Sequence, residues 1–420
     1  MPNQHPLTLL TPVKKDRLND LNLLLEKTRK ELHAGTEKVL QNLATVHYAR
    51  WFILSEKSFR DKVAVPIPVR LVFSSNYDGD EEKHLYELAT VTADYIDQLY
   101  DCCEGYPAPG ERNTESRKNY LKQWGVKTAA FYPGAPKRTK PQILDEDKLR
   151  DYIWAFINKT KWNGQSAVEI HQAIRKEIDS KPEFDWSKQK AEIPGINWLG
   201  MGLTGLVLLI LLPVVIIWIL LVHFFYERRE QIGETTLSQL PDENIKRLEE
   251  DEDLCNQNQF TQAVVMKPGF VRGVTFKAMM LFGKVLIKNL FVKGELMGIP
   301  TIHFARWVQI DNDKHVLFFS NFDGSWQQYL GDFIDKSGWG LTGIFTNTVN
   351  FPKTNFLLTG GAYDEEHFLA WSRGTQLPTQ VWYSAYPHLS IKNVINNTYI
   401  RNDLRRNLSE KQAQAFLKRF

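Results

Sequence analysis

Thr45-Val46-His47-Tyr48-Ala49-Arg50-Trp51 returns later in the chain as Thr301-Ile302-His303-Phe304-Ala305-Arg306-Trp307. The echo continues in the same order. Leu71-Val72-Phe73-Ser74-Ser75-Asn76-Tyr77-Asp78-Gly79 is matched by Leu317-Phe318-Phe319-Ser320-Asn321-Phe322-Asp323-Gly324, and Ala130-Phe131-Tyr132-Pro133 by Ser384-Ala385-Tyr386-Pro387. The offset is 256 between His47 and His303, 245 between Asn76 and Asn321, and 254 between Tyr132 and Tyr386. An extra loop in the first copy, Ser55 to Pro68, absorbs the change. Three matches in one order point to an internal duplication.

Each copy alternates strand and helix signals. In the second, Ile302 to Ile310 and Val316 to Phe322 read as strands from their β-branched and aromatic content. Asp323-Gly324 marks a turn, and Trp326 to Ser337 a helix with Tyr329, Leu330, Phe333 and Ile334 on one face. Leu341 to Thr348 and Asn355 to Thr359 are expected to form a hairpin around Phe351-Pro352. Asp364 is expected to cap a helix through Trp371, and Gln380 to Ala385 to be the last strand. The class is α+β.

This order is close to βαββαβ, the ferredoxin-like pattern. Two such units in one chain resemble the dimeric α+β barrel superfamily, which includes the dye-decolorizing peroxidases and chlorite dismutases. The resemblance implies two ferredoxin-like units forming a fused pseudo-dimeric α+β barrel. It also implies haem as cofactor, with His303 as candidate ligand, for a peroxidase-like or lipid-directed oxidoreductase. Those peroxidases carry a Gly-x-x-Asp-Gly motif whose aspartate lies over the haem. Here the stretches are Ser75-Asn76-Tyr77-Asp78-Gly79 and Ser320-Asn321-Phe322-Asp323-Gly324, with serine in place of the first glycine. The candidate chemical residues are therefore His303, Arg306 and Asp323, with His47, Arg50 and Asp78 in the first copy. In a regular strand His303, Ala305 and Trp307 share one face and Arg306 points to the other. The competing account is structural: Asn and Asp before Gly are ordinary turn chemistry.

Between the copies lies an uncharged apolar run, Trp198 to Phe225, long enough to enter a membrane. Trp198, Trp218 and Tyr226 are placed as interfacial anchors. Two arrangements are open. The run is a tilted single span, or it is a re-entrant hairpin bent at Pro213, since proline removes a helix hydrogen bond. If the copies pair, the hairpin keeps both on one side. Val264 to Lys293 contains no acidic residue, and Lys277, Lys284 and Lys288 fall within about 40° on a helical wheel. This reads as a basic amphipathic helix on an anionic membrane surface, or as a helix packed on the protein's own core.

The expected organisation is an amphipathic helix in 1–43, a first α+β unit in 44–180 and a membrane segment in 193–226. An acidic linker in 227–258, the basic helix in 264–298, a second α+β unit in 299–400 and a C-terminal helix in 401–420 follow. Fifty-two basic residues against 49 acidic ones give a net charge of +3, which argues against nucleic acid as a partner. The expected partners are the lipid bilayer and a membrane enzyme. Three cysteines, two of them adjacent, give neither a disulfide framework nor metal-ligand spacing. No apolar leader is seen near the N-terminus, and the soluble parts are expected on the cytoplasmic face. The function expected is a membrane-anchored, lipid-facing or partner-binding module.

Overall fold

The computed structural model describes residues 3–63, 66–230 and 235–420. The first half runs β1 (Gln4–Pro12), α1 (Leu18–His33), β2 (Val46–Leu54), β3 (Arg70–Asp78), α2 (Glu81–Val91), α3 (Ala93–Tyr100), α4 (Thr114–Gln123), β4 (Thr128–Pro133), α5 (Lys140–Lys159) and α6 (Ala167–Asp179). The apolar run forms α7 (Trp198–Phe225), and α8 (Asp242–Glu249) follows. The second half runs β5 (Gln257–Val265), α9 (Phe270–Asn289), β6 (Ile302–Ile310), β7 (His315–Asp323) and α10 (Trp326–Phe345). It closes with a two-residue hairpin, β8 (Thr354–Asn355) and β9 (Thr359–Gly360), then α11 (Glu365–Thr375), β10 (Val381–Ser384), α12 (Ile391–Leu404) and α13 (Glu410–Leu417).

The eight longer strands make two antiparallel sheets in the orders β1-β3-β2-β10 and β4-β6-β7-β5. Each half thus supplies three strands to its own sheet and a fourth to the other. β4 covers the β6 edge, and β10 covers the β2 edge, so neither central strand is left with bare backbone groups. Alternation fixes the faces. On β2, Ala49 and Trp51 face α1 to α4, while Phe52 and Leu54 face the opposite sheet. On β6, Ala305 and Trp307 face the helical layer of α9, α10 and α11, while Val308 and Ile310 face inward. The layers are helix, sheet, sheet, helix. A side bundle of α5, α6, α12 and α13 packs around Leu149, Ile153, Ile400 and Leu404.

Several sequence expectations change. Residues 1–43 are not one helix: β1 precedes α1, with Met1 and Pro2 outside the described residues. β5 occupies the end of the expected acidic linker and the start of the expected basic helix, whose helical part begins at Phe270. Residues 231–234 of that linker lie outside the description. β5, which precedes residue 299, pairs with β7 along its length. Leu341 to Phe345 continues α10 beyond a break at Ser337, so the expected hairpin shrinks to β8 and β9. Packing of Leu341 and Phe345 on the second-half core outweighs their local strand preference. α11 reaches Thr375, and Asp364 makes no side-chain cap bond to it.

The Tyr132–Tyr386 match is out of register. Tyr132 pairs with Ala305, and the residue pairing with Ala49 is Tyr383. Lys140 and Ile391, the first residues of α5 and α12, show the same spacing as Tyr132 and Tyr383. Tyr-Pro recurs in the two tails only locally.

α7 is one continuous helix of 28 residues with Pro213 inside it, so it is not a hairpin. The proline costs one backbone bond without ending the helix.

Candidate functional site

All six candidate polar residues lie on the sheets; five are buried and Asp323 is half-buried. Arg50 leaves β2 and crosses to the opposite sheet. Its Nη1 donates to Phe260 O and Thr261 Oγ1, both at 2.8 Å, and its Nη2 to Ser320 O at 2.9 Å and Asn321 Oδ1 at 2.6 Å. Arg306 does the reciprocal thing from β6. Its Nη1 donates to Leu7 O at 2.7 Å and Thr8 Oγ1 at 3.3 Å, and its Nη2 to Ser75 O at 2.7 Å and to Asn76 Oδ1. Phe319 sits against both guanidinium groups, with its ring centre 5.3 Å from Arg50 Cζ and 6.0 Å from Arg306 Cζ. Burial lowers Arg50 to about 9, which leaves it charged at neutral pH. Burial, and then the charge of Arg50, also lower Arg306. Four oxygen acceptors per guanidinium offset the desolvation of each cation. Asn76 and Asn321, which look like turn residues, are thus arginine acceptors.

The histidines form a second reciprocal set. His47 Nε2 meets Asp78 Oδ1 at 2.9 Å, and His303 Nε2 meets Asp323 Oδ1 at 2.7 Å. Each carboxylate also accepts a backbone N–H at the start of the helix after the fourth strand. Lys140 N donates to Asp78 Oδ2 at 2.7 Å, and Ile391 N to Asp323 Oδ2 at 2.8 Å. A carboxylate there opposes the positive end of the helix. Gly79 and Gly324 follow with φ of 91° and 81°, a region where glycine is at ease. A register shift interrupts each strand between Val46 and Tyr48 and between Ile302 and Phe304. The bulge turns His303 away from the Trp307 face, against Tyr48 and Tyr386. The expected His303–Ala305–Trp307 face therefore does not form.

One partner breaks the correspondence. Tyr386 Oη lies 2.8 Å from His47 Nδ1. In the sequence Tyr386 stands out only as part of a repeat. The arrangement does not suit a haem. Both ring nitrogens of His47 are engaged, His303 Nε2 is held by Asp323, and both rings are packed against aromatic neighbours. The set is a pair of clamps that join sheet to sheet and sheet to helix.

The second candidate region is the apolar helix. The stretch Trp198–Arg229 is long and apolar enough to cross a membrane. α7 lies antiparallel to α9 and is held at both ends. Before it, Asn402 exchanges hydrogen bonds with the Ala191 backbone at 2.9 and 3.1 Å, and Asn197 Nδ2 donates to Asn289 Oδ1 at 2.9 Å. Near its other end, Trp218 Nε1 donates to Thr275 Oγ1 at 2.9 Å and His223 stacks on Phe356 at 3.9 Å. Glu227 accepts from Thr354 Oγ1 at 2.6 Å and Leu357 N at 3.0 Å. Glu230 then pairs with Lys267 and with the buried Arg272, each at 2.6 Å. Two of the cations expected on a membrane-facing helix are thus consumed inside the protein.

Between these ties, residues 205–217 are exposed without exception, Pro213 included. Trp198 and Phe225 are also exposed, at 73% and 59%, whereas Trp218 is half-buried. Lys277, Lys284 and Lys288 are exposed on α9, and Lys277 reaches Asp313 at 2.6 Å. His223 Nδ1 also lies 3.0 Å from Glu227 Oε2, but the partners that tie Glu227 and Glu230 to the body are distant in the chain, so local sequence does not mark the two carboxylates. No protein-family model, curated protein or solved structure matches this chain.

Proposed function

We propose that the chain is a membrane-attached protein built as a fused ferredoxin-like pseudo-dimer, with α7 lying in the plane of the bilayer. The observation that carries this is the double tether of a strongly apolar helix. Its 28 residues extend about 42 Å, longer than the roughly 30 Å hydrocarbon core. A perpendicular crossing would put its ends on opposite faces and tear either Asn197 from Asn289 or Glu227 from Thr354 and Leu357. An in-plane helix keeps both. Being apolar on every side, it sits at acyl-chain depth, and the lysine stripe of α9 meets anionic headgroups. The reciprocal arginine clamps support the pseudo-dimer, because each unit completes the other. On this reading the folded body is a lipid-facing module.

Vesicle flotation tests the attachment. Wild-type protein is expected to float with anionic vesicles, and Leu206→Asp/Ile210→Asp/Ile217→Asp to remain at the bottom. Single cysteines replacing Asn197 and Arg228, in a Cys255→Ser background, test the geometry. An impermeant maleimide added outside sealed vesicles should label both sites. Protection of one end alone would overturn the in-plane arrangement in favour of a span.

A further inference from the structure

The two halves differ most in one connection. β6 and β7 are joined by residues 311–314, whereas β2 and β3 are joined by residues 55–69. The longer connection lines an open cleft of about 580 Å³. Ser55, Lys57, Ser58 and Arg60 form one wall, Arg247 lies on another, and Arg373 on a third. Gln239, Gln376 and Gln380 add amide groups, and among the described residues no aspartate or glutamate lines the cleft. Arg373 is already neutralised by Glu252, at 2.5 Å. Lys57, Arg60 and Arg247 have no carboxylate within ion-pairing distance among the described residues, and Arg60 makes one hydrogen bond, to Thr235 Oγ1 at 2.7 Å. The whole chain is nearly balanced, with 52 basic and 49 acidic residues, so four basic side chains and no described acidic one around a single cleft are a local departure.

We propose that this cleft binds a phosphate ester carrying at least two negative charges. A single carboxylate would compensate one cation and leave two facing each other. Two guanidinium forks with serine hydroxyls and amide donors suit the several oxygens of a phosphate group. The volume falls within the range of small-molecule sites, about 300–1,000 Å³. The group is carried by a soluble metabolite or by a phosphorylated lipid headgroup. The inference is independent of the in-plane placement of α7, since none of that helix lines the cleft.

The test uses the full chain in detergent, titrated at low salt with inorganic pyrophosphate. A parallel arm uses vesicles containing phosphatidylinositol bisphosphate. Saturable binding of either is expected, weakened about tenfold or more in Lys57→Gln/Arg60→Gln/Arg247→Gln and unchanged in Lys284→Gln. Pyrophosphate binding identifies a soluble ester, and binding of vesicles alone identifies a headgroup. All three substituted side chains are exposed, and an unchanged unfolding transition confirms that the triple variant is folded. Failure of both probes to bind, or equal binding by wild type and triple variant, overturns the proposal. The α7 aspartate variant is expected to retain pyrophosphate binding, which separates this result from failure of membrane attachment.

Discussion

The first and second halves of the molecule solve one packing problem with the same side chains and differ where a second partner is present. Arg50 and Arg306 make the same four kinds of contact across the sheets. The histidines do not: His47 holds both Asp78 and Tyr386, while among the described residues His303 bonds Asp323 alone. Behind β3, His84 stacks on Tyr77 at 3.9 Å, and behind β7, Tyr329 stacks on Phe322 at the same distance. The lesson is that correspondence is strict where a buried charge must be satisfied and relaxed where a flat ring is enough.

The largest effect should come from the arginines. Arg50→Ala and Arg306→Ala each strand four acceptors between the sheets, and each is expected to cost about 3–5 kcal/mol in urea unfolding. Arg→Lys at either site should recover little, because one ammonium cannot reach four oxygens in a planar fork. A loss at one site with tolerance at the other would break the equivalence.

The next effect is pH-dependent and confined to one half. Burial, and then the charge of Arg306, lower the His84 imidazole from 6.5 to about 3. The unfolded chain takes up this proton first, so stability is lost as pH falls through that interval, by roughly 3 kcal/mol at about pH 4. His84→Tyr installs the residue of the second half, and wild type minus variant should show this loss. Parallel stability curves for the two proteins would count against the assignment.

The smallest difference separates the histidine clamps. His47→Ala leaves Asp78 Oδ1 and the Tyr386 hydroxyl without their partner and is expected to cost about 3 kcal/mol. His303→Ala frees one oxygen of Asp323 and should cost about 2 kcal/mol. Tyr386→Phe should bring the two closer together, read by the same unfolding curves.

Much of the central architecture was legible in the chain. β2, β3, β6 and β7 carry alternating aromatic and β-branched residues, and the six candidate polar positions stand out because they recur. β1 and β5 were hidden. Gln4-His5-Pro6 and Gln257-Asn258-Gln259 open with polar residues or proline, yet both strands hydrogen-bond along their length to β3 and β7. The role of Arg50 was illegible for another reason: its acceptors lie in β5 and β7, more than 200 positions away. Local pattern gives the face a residue takes, not the strand it meets. Pro213 misled because proline is a strong breaker in water, whereas the twelve residues after it continue the helix to Phe225.

The exchange of fourth strands bears on the order in which the protein is made. β2 emerges early, but its neighbour β10 begins only at Val381. At ordinary synthesis rates of about 5–20 residues per second, the Trp51 edge waits on the order of tens of seconds for its cover. During that wait the strand is an open template for other chains. α7 leaves the ribosome midway through the interval. On the in-plane reading it can reach lipid before either sheet is complete, so the membrane would receive a half-built protein and hold it while the missing strand arrives.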